Sequence, residues 1–142
     1  MRFTATSSFV ALIATATGLA LAYTIDSPSG GCIDITLPLT VTWTPPQGAT
    51  PVTVSFVLAN YNGAYPNVDK LYENLVVNAT QVSSVTLPGL DQATALGYSM
   101  QNGGNGYQVW MVDPNSPPPH NGNHYAESKS FRIVAPGAGN SC

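Results

Sequence analysis

Apolar and hydroxyl-bearing side chains alternate along Leu37-Pro38-Leu39-Thr40-Val41-Thr42-Trp43-Thr44-Pro45-Pro46. A period of two places the apolar residues on one face of a β-strand and the threonines on the other. The β-branched residues suit a pleated, half-buried surface, and the two prolines end the strand because neither can donate a ladder hydrogen bond. Trp43 is the largest apolar side chain in the stretch, so we expect later strands to pack around it.

The first 22 residues have the features of a secretory signal peptide. Arg2 supplies a positive charge, residues 9–22 are apolar or small, and Ala20-Leu21-Ala22 fits a small-x-small cleavage site. A membrane anchor is the alternative, but the apolar run is shorter than the roughly 20 residues that cross a bilayer. We therefore expect a secreted protein with no membrane span and a single domain over residues 23–142, long enough to bury a core.

The charge composition argues against polyanionic partners. Charged residues make up only 8% of the 142-residue chain, with four basic and seven acidic side chains and a formal net charge of −3. Because the chain has no basic patch, we expect neither nucleic acid nor anionic membrane surfaces as partners. No cofactor is predicted, and the oligomeric state stays open.

Two short signals concern covalent chemistry. Cys32 and Cys142 are the two cysteines of the chain, and in a secreted protein an even pair predicts a disulfide. A Cys142 that stays free or pairs between chains is the alternative. Asn78-Ala79-Thr80 is an N-glycosylation sequon after a short apolar run, so Asn78 is a candidate glycosylation site.

Short apolar or alternating segments, separated by Pro, Gly and Asn turns, recur along the rest of the chain. They cover residues 23–25, 32–35, 39–43, 51–60, 75–78, 82–87, 107–112 and 127–134. Residues 93–100 are ambiguous, and no helix of ten or more residues is predicted. About seven short strands favour an all-β, antiparallel β-sandwich of immunoglobulin or fibronectin-III type, with a jelly roll or small barrel as the competing architecture.

Several segments resemble, in order, the motifs of one family. Ile25-Asp26-Ser27-Pro28, followed by Gly30, is similar to the opening of the family, I-x-x-P-x-x-G, and residues 39–43 are similar to its v-x-I-x-W strand. Residues 52–58 resemble the strand that follows, 106–109 a late G-x-Y strand, and 128–133 a closing S-x-x-F-x-I strand. The chain thus resembles the fungal Kre9/Knh1-like secreted domain, which also forms the N-terminal domain of the Ser/Thr-rich GPI-anchored membrane family.

This resemblance implies a fungal, extracellular β-sandwich associated with the cell wall and with β-glucan assembly, without an established catalytic site. The chain departs from the family pattern because no Ser/Thr-rich stalk and no hydrophobic GPI signal follow Val134. Val85-Thr86-Leu87-Pro88 also stands where the family often has W-x-v-P. These departures put membrane anchoring in doubt, and we expect a short, freely secreted protein.

His120 and His124 are the weak candidates for a metal site. An H-x3-H pair can bind a metal on a helix, but residues 121–123 are Asn-Gly-Asn, and only Asp113 or Glu127 could add a third ligand. Loop histidines without a metal are therefore the preferred interpretation. The carboxylates are scattered over turns and no G-x-S-x-G motif is present, so no catalytic residues are predicted.

Tyr61, Tyr65 and Trp110 are the candidate ligand-binding residues. They lie in or near loops, or on a strand face opposite the core residues, beside Asn and Gln. A sugar-binding surface needs such groups, because ring faces pack against sugar C–H groups while amides bond hydroxyls. The alternative is that Trp110 is a core residue, since a strand's inward face can be misassigned by one position.

The sequence therefore favours a secreted, non-catalytic wall protein that binds or organises β-glucan. One alternative is a small secreted effector that binds a host or neighbouring-cell protein. Another is a metal-dependent enzyme that uses the loop histidines.

Overall fold

The computed structural model describes residues 22–60, 77–115 and 124–142, and the backbone of residues 67–69. Within them, the helix α1 (Gln92–Met100) runs into a short 3-10 turn at Gln101–Gly104. The strands are β1 (Thr24–Ser27), β2 (Cys32–Ile33), β3 (Leu39–Thr44), β4 (Thr53–Asn60), β5 (Asn67–Asp69), β6 (Val77–Asn78), β7 (Ser84–Leu87), β8 (Tyr107–Val112), β9 (His124–Glu127) and β10 (Arg132–Ile133).

Antiparallel pairing dominates the sheets. In one sheet β3 lies between β1 and β7, and in the other the order is β5-β4-β8-β9, with β6 pairing to the start of β4. β2 and β10 form a separate parallel pair. This arrangement confirms the predicted antiparallel β-sandwich, while its assignment to the immunoglobulin or fibronectin-III type stays a prediction. Within the described ranges, α1 is too short to cross a bilayer, and no other helix there is long and apolar enough.

Trp43 lies in the core between the sheets, as the alternation of β3 predicts. Its side chain is 2% exposed, and its ring centroid is 5.2 Å from that of Phe56 on β4. Its indole Nε1 donates a 2.9 Å hydrogen bond to the carbonyl oxygen of Ala79. Phe131 and Ile133, predicted to face inward, belong to the same cluster. Burying each large apolar side chain of this kind contributes about 1.5–3 kcal/mol.

β4 and β8 bury both of their faces, which their sequence alternation did not predict. Every residue from Val54 to Asn60 is buried. On the face away from the main core, Val57, Trp110 and their neighbours on β4 and β8 form a second apolar cluster. The alternation within residues 52–58 therefore identified the inner face and did not show that the outer face is covered too.

The segment that the sequence left ambiguous is α1. Asp91 caps it: one carboxylate oxygen accepts the backbone N–H of Thr94 at 3.0 Å, and the other accepts the Thr94 hydroxyl at 2.6 Å. Its buried residues are only Ala95 and Tyr98, and the Tyr107 hydroxyl donates to the Tyr98 carbonyl oxygen at 3.1 Å. So narrow an apolar face leaves little helical periodicity in the sequence.

The predicted last strand, residues 127–134, is broken in two. β9 ends at Glu127, and β10 begins at Arg132. Between them, Ser128 is buried. Its backbone N–H donates to the Val109 carbonyl oxygen at 2.9 Å, and its hydroxyl oxygen accepts the Val109 N–H, also at 2.9 Å. The chain pairs with β8 once more at Phe131, which exchanges backbone hydrogen bonds with Tyr107, and β10 then pairs with β2.

A disulfide joins Cys32 to Cys142 across 110 residues of sequence, which confirms the predicted pairing. The chain after β10 stays beside β2, since the Val134 N–H donates to the Ile33 carbonyl oxygen at 3.0 Å. The bridge thus fixes the C-terminal tail, residues 134–142, against the start of the domain.

The buried carboxylate of Asp34 fastens the same tail. One oxygen accepts the backbone N–H groups of Gly137 at 2.8 Å and Gly139 at 3.2 Å, and the Asp34 N–H donates to the Asn140 side-chain oxygen at 3.0 Å. The other oxygen accepts the Thr36 hydroxyl at 2.6 Å and the Thr36 N–H at 3.0 Å. Led by the Thr36 hydroxyl, these donors outweigh the opposing effect of burial and lower the pKa of Asp34.

We expect the domain to lose stability below about pH 4. In Asp34→Asn, the free energy of unfolding should depend less on pH in this range. Because folding lowers the pKa of Asp34, the unfolded chain binds more protons in acid. The stabilisation is therefore present above the ordinary carboxyl pKa and is lost as the pH falls through the folded pKa. Asparagine would also point an amide at the donors of Gly137 and Gly139, so the variant should be less stable near neutral pH.

Denaturant midpoints measured across this pH range check the prediction. Asp26→Asn is the matched control, because it removes one carboxylate from an exposed position. A pH profile of Asp34→Asn that is parallel to that of the wild type would contradict the assignment.

Candidate functional site

The outer face of the β1-β3-β7 sheet carries a continuous set of polar side chains, which we call the hydroxyl face. Side chains alternate along each strand, so residues such as Ile25, Val41 and Leu87 turn into the core while their neighbours turn outward. The hydroxyl face consists of Thr24, Asp26, Thr40, Thr42, Thr44, Ser84 and Thr86.

The register of the strands brings these hydroxyls together. Thr40 lies opposite Thr86, and their Oγ1 atoms are 3.2 Å apart. Thr44 lies opposite Thr24 and donates its hydroxyl to the Asp26 carboxylate at 2.8 Å. Because neighbouring strands lie about 4.8 Å apart, the face presents hydroxyl groups in closely spaced rows.

A groove of about 390 Å³ adjoins the hydroxyl face at Thr40. Its polar groups include the Ser27 and Ser29 hydroxyls and the Asn140 amide, and Leu39 supplies apolar surface. The Ser27 hydroxyl donates to the Thr40 carbonyl oxygen at 3.3 Å, which ties the groove to the face. None of the lining residues is Asp, Glu, Lys, Arg or His.

The face and the groove together form a nearly uncharged surface. Asp26 is the one charged residue among those that define them. Hydroxyl groups both donate and accept hydrogen bonds, so this surface suits a neutral ligand rich in hydroxyls rather than an ionic one. The residues that define the face and the groove include no pair of carboxylates and no nucleophile–base arrangement.

The predicted aromatic platform is not found at Trp110. The Trp110 ring is fully buried in the second apolar cluster and stacks on the His124 imidazole, with centroids 4.7 Å apart and planes 19° from parallel. The expectation of an exposed Trp110 ring is therefore wrong, because the outer face of β8 is covered, and Trp110 is a core residue. Tyr61 and Tyr65 lie outside the described residues.

Among the described aromatic rings, that of Tyr125 is the most exposed, at 36%. It lies 6.2 Å from the ring of Tyr23. Burial raises the pKa of both phenols. The negative charge of Asp113 adds to the effect on Tyr125, and Tyr125, once it is ionised, adds to the effect on Tyr23.

Of the two candidate metal ligands, His120 and His124, only His124 belongs to the described residues. His120 lies outside the described residues, and the Nε2 atom of His124 is 3.5 Å from a carboxylate oxygen of Glu127. Within the part of the chain that the structure describes, no three His, Cys, Asp or Glu side chains are grouped as metal ligands. His124 instead packs on Trp110.

Sequence analysis missed the hydroxyl face as a surface. Half of the signal was present, because Thr40, Thr42 and Thr44 alternate with core residues in β3. The other half, Ser84 and Thr86, lies more than 40 residues later and joins β3 only through the strand register.

The fold and the surface define an all-β sandwich with an exposed, nearly uncharged hydroxyl face. Comparisons with protein-family models, with curated protein sequences and with solved structures find no match for this chain. The resemblance to the Kre9/Knh1-like domain therefore stays a prediction from the sequence.

Proposed function

We propose that the protein is a secreted, non-catalytic β-sandwich that contacts neutral cell-wall polysaccharide, with β-glucan as the first candidate, through the hydroxyl face and the adjoining groove. The observation that carries the proposal is the composition of that face. Six of its seven side chains are hydroxyls and none is basic.

Sugar hydroxyls and the hydroxyls of Thr and Ser have the same hydrogen-bonding capacity, since each can donate and accept. One hydrogen bond of this kind contributes a net of about 0.5–1.5 kcal/mol, so a single sugar would be held weakly. A polymer that repeats the same unit engages many such sites at once, and its avidity exceeds the affinity of one contact. An extended polysaccharide therefore fits a flat, repetitive face better than a small sugar does.

The expected secretion is supported by the Cys32–Cys142 disulfide, because such bonds persist mainly in oxidising compartments. It also agrees with the signal-peptide features of residues 1–22. The same bridge closes the domain beside the groove, since Cys32 is one of the lining residues.

Thr40→Val/Thr86→Val is expected to weaken retention on the bound polysaccharide about tenfold, since it removes two hydroxyls at the end of the face that adjoins the groove. Valine keeps the β-branched shape of threonine. Because both hydroxyls of the hydrogen-bonded pair are removed together, no hydroxyl is left without its partner. The measurement is a depletion isotherm on insoluble β-1,3-glucan, β-1,6-glucan, chitin and cellulose.

Thr50→Val is the matched control, because Thr50 is an exposed loop threonine outside the face. Tyr125→Ala tests the exposed ring: if it abolishes retention while the threonine variant does not, the binding site lies at Tyr125. If the wild type is retained on none of the four polymers, the proposal fails and a protein partner, as for an effector, becomes the better hypothesis.

A further inference from the structure

The sequon Asn78-Ala79-Thr80 reaches into the core of the sandwich. Ala79 is fully buried and belongs to the main apolar cluster with Trp43. Its N–H donates to the Val52 carbonyl oxygen at 3.0 Å, and its carbonyl oxygen accepts the Trp43 Nε1–H at 2.9 Å. The middle residue of the sequon thus has its methyl group and both its backbone polar groups engaged by the fold.

The flanking residues of the sequon are held in the same turn. The Asn78 carbonyl oxygen accepts the N–H groups of Gln81 at 3.1 Å and Val82 at 3.0 Å. The Asn78 side-chain oxygen accepts the Thr80 hydroxyl at 2.9 Å and the Thr80 N–H at 3.2 Å. The Thr80 hydroxyl, which defines the sequon, is therefore already committed to Asn78.

N-glycosylation makes demands that this turn does not meet. The Asn78 side-chain nitrogen must form a bond to the anomeric carbon of a lipid-diphosphate-linked oligosaccharide. The bond from that carbon to the diphosphate oxygen breaks, the lipid diphosphate leaves with the electron pair, and the nitrogen loses one proton. A transferase has to bind the asparagine amide and the Thr80 hydroxyl together, so it must also accommodate Ala79 between them.

We propose that Asn78 is glycosylated only before the sandwich folds, and that folding then closes the sequon to the transferase. The inference rests on the proposed secretion, because the donor and the enzyme are met on that route. Opening the folded sequon means breaking the Ala79 bonds to Val52 and Trp43 and withdrawing Ala79 from the core. Such opening belongs to the rare, high-energy end of local unfolding.

A glycan added early is compatible with the fold. The Asn78 nitrogen that carries the sugar takes no part in the bonds that form the turn, which use the side-chain oxygen and the backbone. The exposed side chain of Val82 lies in the same turn, so the first sugar would stand at this end of the sandwich. Folding therefore retains the modification and prevents its late addition.

The experiment is cell-free translation of the full chain into membrane vesicles that contain the transferase. A competing acceptor tripeptide blocks transfer during import, and it is washed out after the chain has folded under oxidising conditions. We expect glycosylation of Asn78 when no block is applied, and at least a tenfold lower yield when the block is released after folding. Trp43→Ala should prevent the turn around Asn78 from forming stably. We therefore expect this variant to be glycosylated at Asn78 even when the block is removed late.

Gln47→Asn/Ala49→Thr adds a control sequon in an exposed loop of the same molecule. Late release should give one glycan, at the loop, instead of two. Equal late modification of both sequons would overturn the proposal, as would an Asn78 that stays bare in unblocked translation while the loop is modified. If neither sequon is modified without a block, the chain does not enter the vesicles, and the proposed secretion fails as well.

Discussion

Trp43→Ala is expected to lower the free energy of unfolding by about 3–5 kcal/mol, which is the usual cost of truncating a large buried aromatic residue. The side chain is 2% exposed and packs against Phe56, so its removal leaves a cavity between the sheets. The total stability of a domain is roughly 5–15 kcal/mol, so this one change should leave much of the chain unfolded at moderate temperature.

Trp43→Phe separates packing from hydrogen bonding. Phenylalanine keeps most of the contact with Phe56 but cannot donate to the Ala79 carbonyl oxygen, which is then buried without this partner. Leaving such a group unsatisfied costs about 1–3 kcal/mol. We therefore expect the free energy of unfolding of Trp43→Phe to lie between those of the wild type and Trp43→Ala.

Far-UV circular dichroism in increasing urea measures both variants, provided that the slope of the transition stays constant. Trp110→Phe is the matched control. Its Nε1 atom is 3.4 Å from the Gln108 side-chain oxygen, a weaker bond than that of Trp43, and it belongs to the smaller cluster. A larger loss for Trp110→Phe than for Trp43→Phe would show that the domain is organised around the other tryptophan.

The elements predicted best are those in which one local pattern decides the structure. β3 was predictable because a strict period of two ends at a proline pair, and β8 because Tyr107, Val109 and Met111 alternate with their neighbours. Prolines, glycines and asparagines marked the turns between strands. The pairing of Cys32 with Cys142 followed from there being only two cysteines.

Features that depend on distant residues could not be predicted in the same way. The alternation of Trp110 with its neighbours placed it on the outer face of β8, but no local pattern tells whether that face is covered. The helix α1 was missed because only Ala95 and Tyr98 are buried in it. The break at Ser128 depends on hydrogen bonds to Val109, 19 residues earlier.

The same distinction between local patterns and distant contacts applies to the candidate site. The threonines of β3 were visible as the outward half of an alternating strand, yet they were interpreted only as its solvent side. Their meaning as a surface required Ser84 and Thr86 to arrive beside them through strand pairing. A search for short motifs therefore does not find a surface that is built across several strands, whereas it does find the sequon, which is a short motif.

Cys32→Ala/Cys142→Ala is expected to lower the free energy of unfolding by about 4–5 kcal/mol, because the bridge closes a loop of nearly the whole domain and so restricts the unfolded chain. Urea midpoints of the double variant, compared with those of the wild type, measure the loss. Adding dithiothreitol should bring the wild type to the stability of the variant and leave the variant unchanged. Equal midpoints for the oxidised wild type and the variant would contradict this role of the bridge.

The disulfide and Asp34 should also be coupled, because both hold the tail of residues 134–142. With the bridge in place, the amides of Gly137 and Gly139 are tethered near Asp34 and lose little further freedom on binding it. Without the bridge, the tail can detach from the domain. The contribution of the Asp34 carboxylate to stability is then limited to the free energy with which the untethered tail binds. Asp34→Asn should therefore destabilise the double cysteine variant less than the wild type, by a coupling energy of about 0.5–3 kcal/mol in a double-mutant cycle. Strictly additive losses would mean that the tail stays docked on its remaining contacts, and that the bridge acts on the unfolded chain alone.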